Sequence, residues 1–382
     1  MDRALSHYFV TGGTGVVGSS LVPSLLADPG TKVTLLVRAS NTSELAVRMD
    51  RLFAHWSLGD REPDARERVQ AWIGDTTLPR LGLQDPRWRA LGAQCTHIVH
   101  AAGLVRMNLP LEKARSSAVG AAHKIVELAR ECGRLQKLEF VSTVGVGGRS
   151  RQAVVEQWLT EPRGFHNTYE QAKAEAEDYL REQMDRQALP LTVHRPSMVV
   201  GDSRDGRVIS FQVFYFLCEF LSGRRTAGLY PAFGDARLDV IGCDIVAAAI
   251  AASSRDASTG GRVLHLCSGP NESVRIDALR QQVRQAFEAR GFLVPRERVL
   301  PLRLYAAMAR LASMFVRGNA GRALATLPVF LAYLADSQAF DDTQFRNWAA
   351  ERNLHRPAPS AYLGKVLDHY FAKRYPGGAE RP

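Results

Sequence analysis

The sequence predicts an α/β fold: a doubly wound parallel sheet followed by a smaller, mostly helical C-terminal region. Three observations carry this. Short apolar runs at 8–10, 32–37, 97–100, 138–142 and 191–195 alternate with amphipathic helical patterns such as 119–130 and 169–183. That is the rhythm of parallel strands with helices on both faces. A glycine cluster separates the first run from the first helix, at 19–26. From about Gly201 the rhythm breaks: 201–206 is turn-rich, 211–221 is an apolar helical stretch, and 262–266 reads as one more strand returning to the sheet. Beyond about 270 the chain reads as helical, most clearly at 276–290 and 302–317. We therefore expect one unit over residues 1–205 with a returning segment at about 236–268, and a second region made of 206–235 and 269–382.

With 382 residues, 46% hydrophobic and 23% charged, the chain has enough apolar material for one large core or two unequal ones. A formal charge of +10 fits nucleic acid, an anionic membrane surface, or a phosphate-bearing or acidic partner. Lys and Arg are spread along the chain rather than gathered with aromatics, and no helix-turn-helix, zinc-finger or RNA-binding signature occurs, so no nucleic-acid partner is expected. Five widely spaced cysteines without Cys-x-x-Cys argue against a disulfide framework and against a zinc site. The N-terminus runs almost directly into the strand-like 7–10, leaving no room for a signal peptide. The apolar stretches 211–221 and 324–334 fall short of the ~20 residues that a spanning helix needs. A cytoplasmic protein is the expectation.

Strand, glycine loop and helix follow in immediate order, with Thr11-Gly12-Gly13-Thr14-Gly15-Val16-Val17-Gly18 between 8–10 and 19–26. The glycines permit a tight turn, let the backbone approach a pyrophosphate and let helix pack closely on strand, so the pattern predicts dinucleotide binding. About 20 residues beyond the last glycine, where an acidic residue would bind the ribose hydroxyls of NAD, the chain carries Arg38. A guanidinium suits the 2′-phosphate of NADP, and NADPH is the expected cofactor. Asp75, after the strand-like 69–73, stands where a carboxylate accepts from the adenine amino group; a turn-forming role is the other reading. His97-Ile98-Val99-His100-Ala101-Ala102-Gly103 is a strand ending in small residues, which lets a nicotinamide ribose lie close. His100 is read as packed beside the cofactor rather than as a base.

Tyr169 and Lys173 open a helix, and their four-residue spacing puts phenol and ammonium on one face, one turn apart. A nearby cation lowers a phenol's pKa and makes it a usable acid or base, so Tyr169 is expected to be depressed. Strand 138–141 ends in Ser142-Thr143, at the carboxyl edge where open parallel sheets place their active sites.

Together the glycine loop, His100–Gly103, Ser142-Thr143 and Tyr169-Glu170-Gln171-Ala172-Lys173 resemble the extended short-chain dehydrogenases/reductases over roughly residues 7 to 270, a superfamily with a Rossmann-type sheet. The phrases at 74–83, 167–177 and 195–203 are similar to its thioester reductase and fatty acyl reductase branch. The resemblance implies a catalytic triad of Thr143, Tyr169 and Lys173. It also implies cofactor contacts from Gly12, Thr14, Gly15, Val16, Val17, Gly18, Arg38, Asp75, Ala101, Ala102, Gly103, Lys173 and Pro196. Ser117 stands where extended members commonly carry Asn. The implied reaction is NADPH-dependent reduction of an acyl thioester, bound to CoA or to an acidic carrier protein, to aldehyde or alcohol. The alternative is an extended-type enzyme acting on a ketone, a hydroxysteroid-like alcohol or a nucleotide sugar, for which the triad would look the same. The apolar helix at 211–217 is read as core packing first and as an acyl-pocket wall second, with Arg224 and Arg225 reaching toward an acidic carrier. The basic, apolar stretch 302–334, with Arg303, Arg310, Arg317 and Arg322, is read as a lid or core helix pair, and as a peripheral membrane contact only second.

Overall fold

Side chains alternate across a strand, so the first strand divides the molecule's core: Tyr8 and Val10 point to one side, Phe9 to the other, and all three are fully buried. The computed structural model describes residues 5–56, 63–107, 109–150, 152–187, 189–315 and 339–377. Its first part runs β1 (Ser6–Thr11), α1 (Val16–Leu26), β2 (Thr31–Val37), α2 (Thr42–Trp56), α3 (Pro63–Glu67), β3 (Val69–Ile73), α4 (Asp85–Gln94), β4 (His97–His100), α5 (Leu111–Glu131), β5 (Lys137–Val141), α6 (Thr168–Gln187) and β6 (Leu191–Pro196). The later part adds β7 (Met198–Val200), α7 (Val213–Leu221), β8 (Leu229–Pro231), β9 (Arg237–Leu238), β10 (Val240–Gly242), α8 (Cys243–Ser253), β11 (Val263–Leu266), β12 (Val274–Arg275), α9 (Ile276–Glu288), β13 (Arg298–Leu300) and α10 (Leu302–Phe315). Two further helices, Thr343–Glu351 and Pro359–Arg374, follow.

Seven strands pair in the order β11-β6-β5-β4-β1-β2-β3, all parallel. From β1 the chain moves outward through β2 and β3, then returns to the other side of β1 at β4. The order therefore reverses between β1 and β4, the switch point where open α/β sheets bind ligands beyond their carboxyl ends. One face is covered by α1, α2 and α8, whose Leu21, Leu25, Leu52, Val246 and Ile250 share a core with Tyr8 and Val10. The opposite face is covered by α4, α5 and α6, with Leu91, Ile125, Val126 and Leu180 packed on Phe9, Ile98 and Phe140.

The region beyond 200 departs from a simple run of helices. Three short pairings cross it: β7 with β10 and β8 with β13, both parallel, and β9 with β12, antiparallel. Strands of two or three residues carry no periodic trace in a sequence; the elements around them hold them in register. Phe214, Leu217, Val283, Phe287, Val366 and Tyr370 join α7, α9 and the last helix to the same core as α1 and α8. In α10, Tyr305 and Ala309 are buried while Leu304, Met308 and Leu311 are exposed. Residues 316–338, with Arg317, Arg322 and the stretch 324–334, lie outside the described residues. Among the described residues no helix is long and apolar enough to cross a membrane.

One contact ties the far end of the chain to the sheet edge. Val154 and Asp341 donate their N–H groups to the carbonyls of Ala339 and Val154, each at 2.9 Å, forming a parallel bridge between Val154 and Phe340. Glu156, two residues on, accepts the N–H groups of His265, Gln344 and Phe345 and so caps the helix Thr343–Glu351. Val154 and Phe340 share a small apolar cluster with Val144, the residue after Thr143.

Candidate active site

The glycine loop folds as its composition dictates. Gly12 has φ of +76°, and a Cβ there would lie 2.5 Å from the backbone of Ala101 and Ala102. At Gly18 a Cβ would lie 2.2 Å from the Gly12 carbonyl oxygen, so α1 is seated against the loop more closely than any side chain allows. The helix begins at Gly15 with no side-chain cap. Its first N–H groups are therefore open toward the carboxyl edge of the sheet, with the positive end of the helix dipole behind them.

That edge holds a cleft of about 260 Å³. Gly15, Val16 and Val17 line one end. Ala101, Ala102 and Gly103 continue it, and Thr143, Tyr169, Lys173 and Pro196 line the rest. Gly12 and Gly18 shape the loop, and they and Thr14 lie outside the cleft lining. Arg38 and Asp75 sit at the ends of β2 and β3 and meet each other: the guanidinium is 3.8 Å from Asp75 Oδ2 and is largely exposed. Asp75 also accepts the N–H and hydroxyl of Thr77, each at 2.8 Å, so it does make the turn that its sequence position suggested.

Thr143 stands two residues after β5 and caps the single turn that follows, its Oγ1 accepting the Gly145 N–H at 3.2 Å. Tyr169 lies in the first turn of α6, in the same cleft as Thr143 and near enough for the Thr143 hydroxyl to act on its phenol. One turn on, the Lys173 ammonium donates to the Val141 carbonyl at 2.9 Å and lies 5.1 Å over the Phe140 ring. Thus β5, its following turn and α6 bring the three side chains together. The electrostatics differ from the sequence expectation. Burial pushes the Tyr169 phenol up to about 12, with the Thr143 hydrogen bond opposing and the Glu170 charge assisting, and no lowering from Lys173 enters. Burial brings the Lys173 ammonium, which donates to the Val141 carbonyl, down to about 8, so it has lost its charge before the phenol ionises.

His100 is fully buried, with Nδ1 2.8 Å from Thr11 Oγ1 and its ring stacked 4.9 Å from Phe140. Burial and Lys173 lower it to about 3, so it is a neutral packing group. Sequence reasoning did not single out Met107, Met198 or Glu170, all in the cleft wall; of the helix read at 211–217, Gln212, Val213 and Phe214 line the cleft. Glu170 was legible only as a helix-start signal, an Asn followed three residues on by an acid. The arginines after α7 are engaged within the chain. Arg224 lies 4.5 Å over Phe292 and 5.4 Å over Phe287, and Arg225 is 3.7 Å from Glu219.

A glycine loop at the switch point of a parallel sheet, sharing one cleft with Thr, Tyr and Lys, defines the class: a nicotinamide-cofactor oxidoreductase. The NAD-binding family described as Male sterility protein matches residues 10–250, and the chain belongs to it, within the extended short-chain dehydrogenases/reductases. It is 31% identical over 232 residues to an isonitrile lipopeptide synthase of Streptomyces coeruleorubidus, covering 60% of this chain and 15% of that protein. To the L-2-aminoadipate reductase of Schizosaccharomyces pombe it is 25% identical over 278 residues, 69% of this chain and 19% of the relative. The chain thus spans less than a fifth of either relative's length. Among solved structures, the terminal R domain from the myxalamid PKS-NRPS biosynthetic pathway superposes with a TM-score of 0.78 at 26% identity, covering 98% of this chain and 92% of that one.

Proposed function

We propose that this chain is an NADPH-dependent reductase of an acyl thioester, carried on CoA or on an acidic carrier protein, and that it yields an aldehyde or an alcohol. The observation that supports this best is the placement of Thr143, Tyr169 and Lys173 in the same cleft as the start of α1. The relatives' names, a reductase, a lipopeptide synthase and a terminal R domain, point to the same substrate class.

The residues present fit a dinucleotide: space that a Cβ would fill at Gly12 and Gly18, and an uncapped helix start. Gly15 and the backbone of Thr14, Val16 and Val17 would hold the pyrophosphate. Asp75 would face the adenine, Arg38 the 2′-phosphate, and Ala101, Ala102, Gly103, Lys173 and Pro196 the nicotinamide riboside. In this reading residues 1–205 with about 236–268 serve the cofactor, and 206–235 with 269–382 select the acyl group.

When bound, NADPH supplies a hydride to the carbonyl carbon. Thr143 and Tyr169 donate hydrogen bonds to the carbonyl oxygen and stabilise the charge that develops on it. A phenol at about 12 keeps its proton at neutral pH, so Tyr169 serves as the acid that protonates this oxygen. Lys173 would hold the ribose hydroxyls of the bound cofactor. The hemithioacetal then breaks its C–S bond, releasing thiol and aldehyde. Val105, Met107, Met198, Val213 and Phe214 give the cleft an apolar stretch of wall, as an uncharged acyl chain requires, beside the polar Ser197 and Gln212.

The test is oxidation of NADPH and NADH by the purified chain with octanoyl-CoA, a carrier-bound octanoyl thioester, a ketosteroid and a nucleotide sugar. Consumption with a thioester, and with NADPH over NADH, is the expected outcome. Consumption with only the steroid or the sugar overturns the reading in favour of another extended-type activity.

A further inference from the structure

Glu170 stands in the cleft wall next to Tyr169 but has no part in the reaction described above. Its carboxylate is buried and gripped by three donors. The main-chain N–H and the Nδ1–H of His166 reach Oε2 at 3.0 Å each, and Nδ2 of Asn167 reaches Oε1 at 3.0 Å. Asn167 Oδ1 accepts the Glu170 N–H in return, at 3.0 Å. Such reciprocal bonding starts a helix equally well at a solvated surface. Here the Glu170 side chain is 2% exposed, and a buried carboxylate is tolerated only when its hydrogen bonds are complete. What burial adds is a contact on the far side: a Cβ on Gly145 would come within 2.9 Å of Glu170 Cγ. Gly145 is the residue whose N–H is held by Thr143 Oγ1. One side chain therefore touches both the helix start that carries Tyr169 and the turn that carries Thr143.

We infer that Glu170 is a positioning residue: clamped by His166 and Asn167, it fixes the Tyr169 phenol relative to the Thr143 hydroxyl and so sets where a substrate carbonyl oxygen is held. This rests on the reading that those two hydroxyls bind that oxygen. Among the described residues, the charged and titratable groups facing this corner are His166 on the entering loop, Tyr169 and Lys173 on α6, and His100 at the end of β4. The Glu170 charge acts on Tyr169 in the direction that keeps the phenol protonated.

The experiment compares Glu170→Gln and Glu170→Ala with Tyr169→Phe in three measurements: kcat and KM with octanoyl-CoA, NADPH binding by fluorescence, and ultraviolet titration of tyrosinate. In E170A, kcat falls by about 100-fold, as a displacement near 1 Å produces, while the NADPH Kd stays within about twofold. In E170Q, the phenol whose signal disappears in Y169F titrates at lower pH than in the wild-type chain, because a neighbouring negative charge is gone. A kcat within about twofold of wild type, or a loss confined to NADPH binding and thermal stability, overturns the inference. An active Y169F instead overturns the reading beneath it. Should the Glu170 variants not fold, Gly145→Ala presses a methyl group on Glu170 while keeping its charge. A lowered kcat with an unmoved phenol titration is then the expected result, and an unchanged kcat overturns the inference.

Discussion

The two ends of the cleft present themselves to ligands by opposite means. At the glycine loop the working surface is backbone, exposed by leaving side chains out: Cβ atoms at Gly12 and Gly18 would sit 2.5 and 2.2 Å from other main-chain atoms. At the other end the surface is side chain, and burial has moved its proton equilibria, with Tyr169 up to about 12 and Lys173 down to about 8. Leaving out a side chain raises the entropy lost on folding but leaves charge balance alone. Burying an ammonium and a phenol does the reverse. The first end should therefore fail sterically, in binding, and the second chemically, in turnover.

The sharpest way to break this contrast is to exchange the symptoms. Tyr169→Phe removes one proton donor from an otherwise intact wall. Its kcat is expected to drop by about 1,000-fold with NADPH affinity within about twofold; a comparable loss of affinity would merge the two ends into one. Gly18→Val is the counterpart. Its side chain has nowhere to go but into the Gly12 carbonyl, so calorimetry should register NADPH binding weakened by about 100-fold or lost, and normal binding would show that the loop yields easily. Arg38→Ala probes the margin of the same end. The NADPH Kd should rise by about 10-fold with the NADH Kd unmoved, and an equal change in both would remove Arg38 as a phosphate selector.

The last effect concerns stability rather than binding or turnover. Lys173 titrates at about 8 in the folded chain and at about 10.4 when unfolded, so between these values the unfolded chain binds more protons. Stability contributed through this group is then lowest below pH 8 and increases as pH rises toward 10.4. Urea unfolding at pH 8 and pH 10 should show the wild type gaining roughly 2 kcal/mol relative to Lys173→Met. Parallel pH dependences in the two chains would place the ammonium in a more solvated setting than its 4% exposure indicates.

What could be read in advance followed local signals. The strands β1, β2, β4, β5, β6 and β11 are apolar runs bounded by turn residues, α1 follows a glycine loop and α6 carries an amphipathic pattern, so both positions and types were legible. The helix α8 was not, because its half-buried face, Ala248 and Ala252, is as apolar as the buried Val246, Ala247, Ala249, Ile250 and Ala251 and leaves no amphipathic stripe. The first two turns of α5 escaped for the opposite reason: Glu112, Lys113 and Arg115 are solvent-facing or half-buried and only Ala114 is covered. In the site, spacing put Tyr169 and Lys173 on one helix face, but it could not say where the ammonium would aim. The Val141 carbonyl decided that, and it belongs to another strand. Glu170 was hidden likewise, since its importance lies in touching Gly145, 25 positions earlier in the chain.

The bridge between Val154 and Phe340, with Glu156 capping the helix that follows, limits how portable the region proposed to face the substrate is. The segment at 339–345 braces the wall behind Thr143 through the apolar contact of Val144, Val154 and Phe340. Grafting a foreign tail after residue 270 to test the proposed acyl preference would therefore also remove a buttress of the turn that carries Thr143. A chimera that retains this chain's 339–351 while exchanging what lies between keeps the buttress in place.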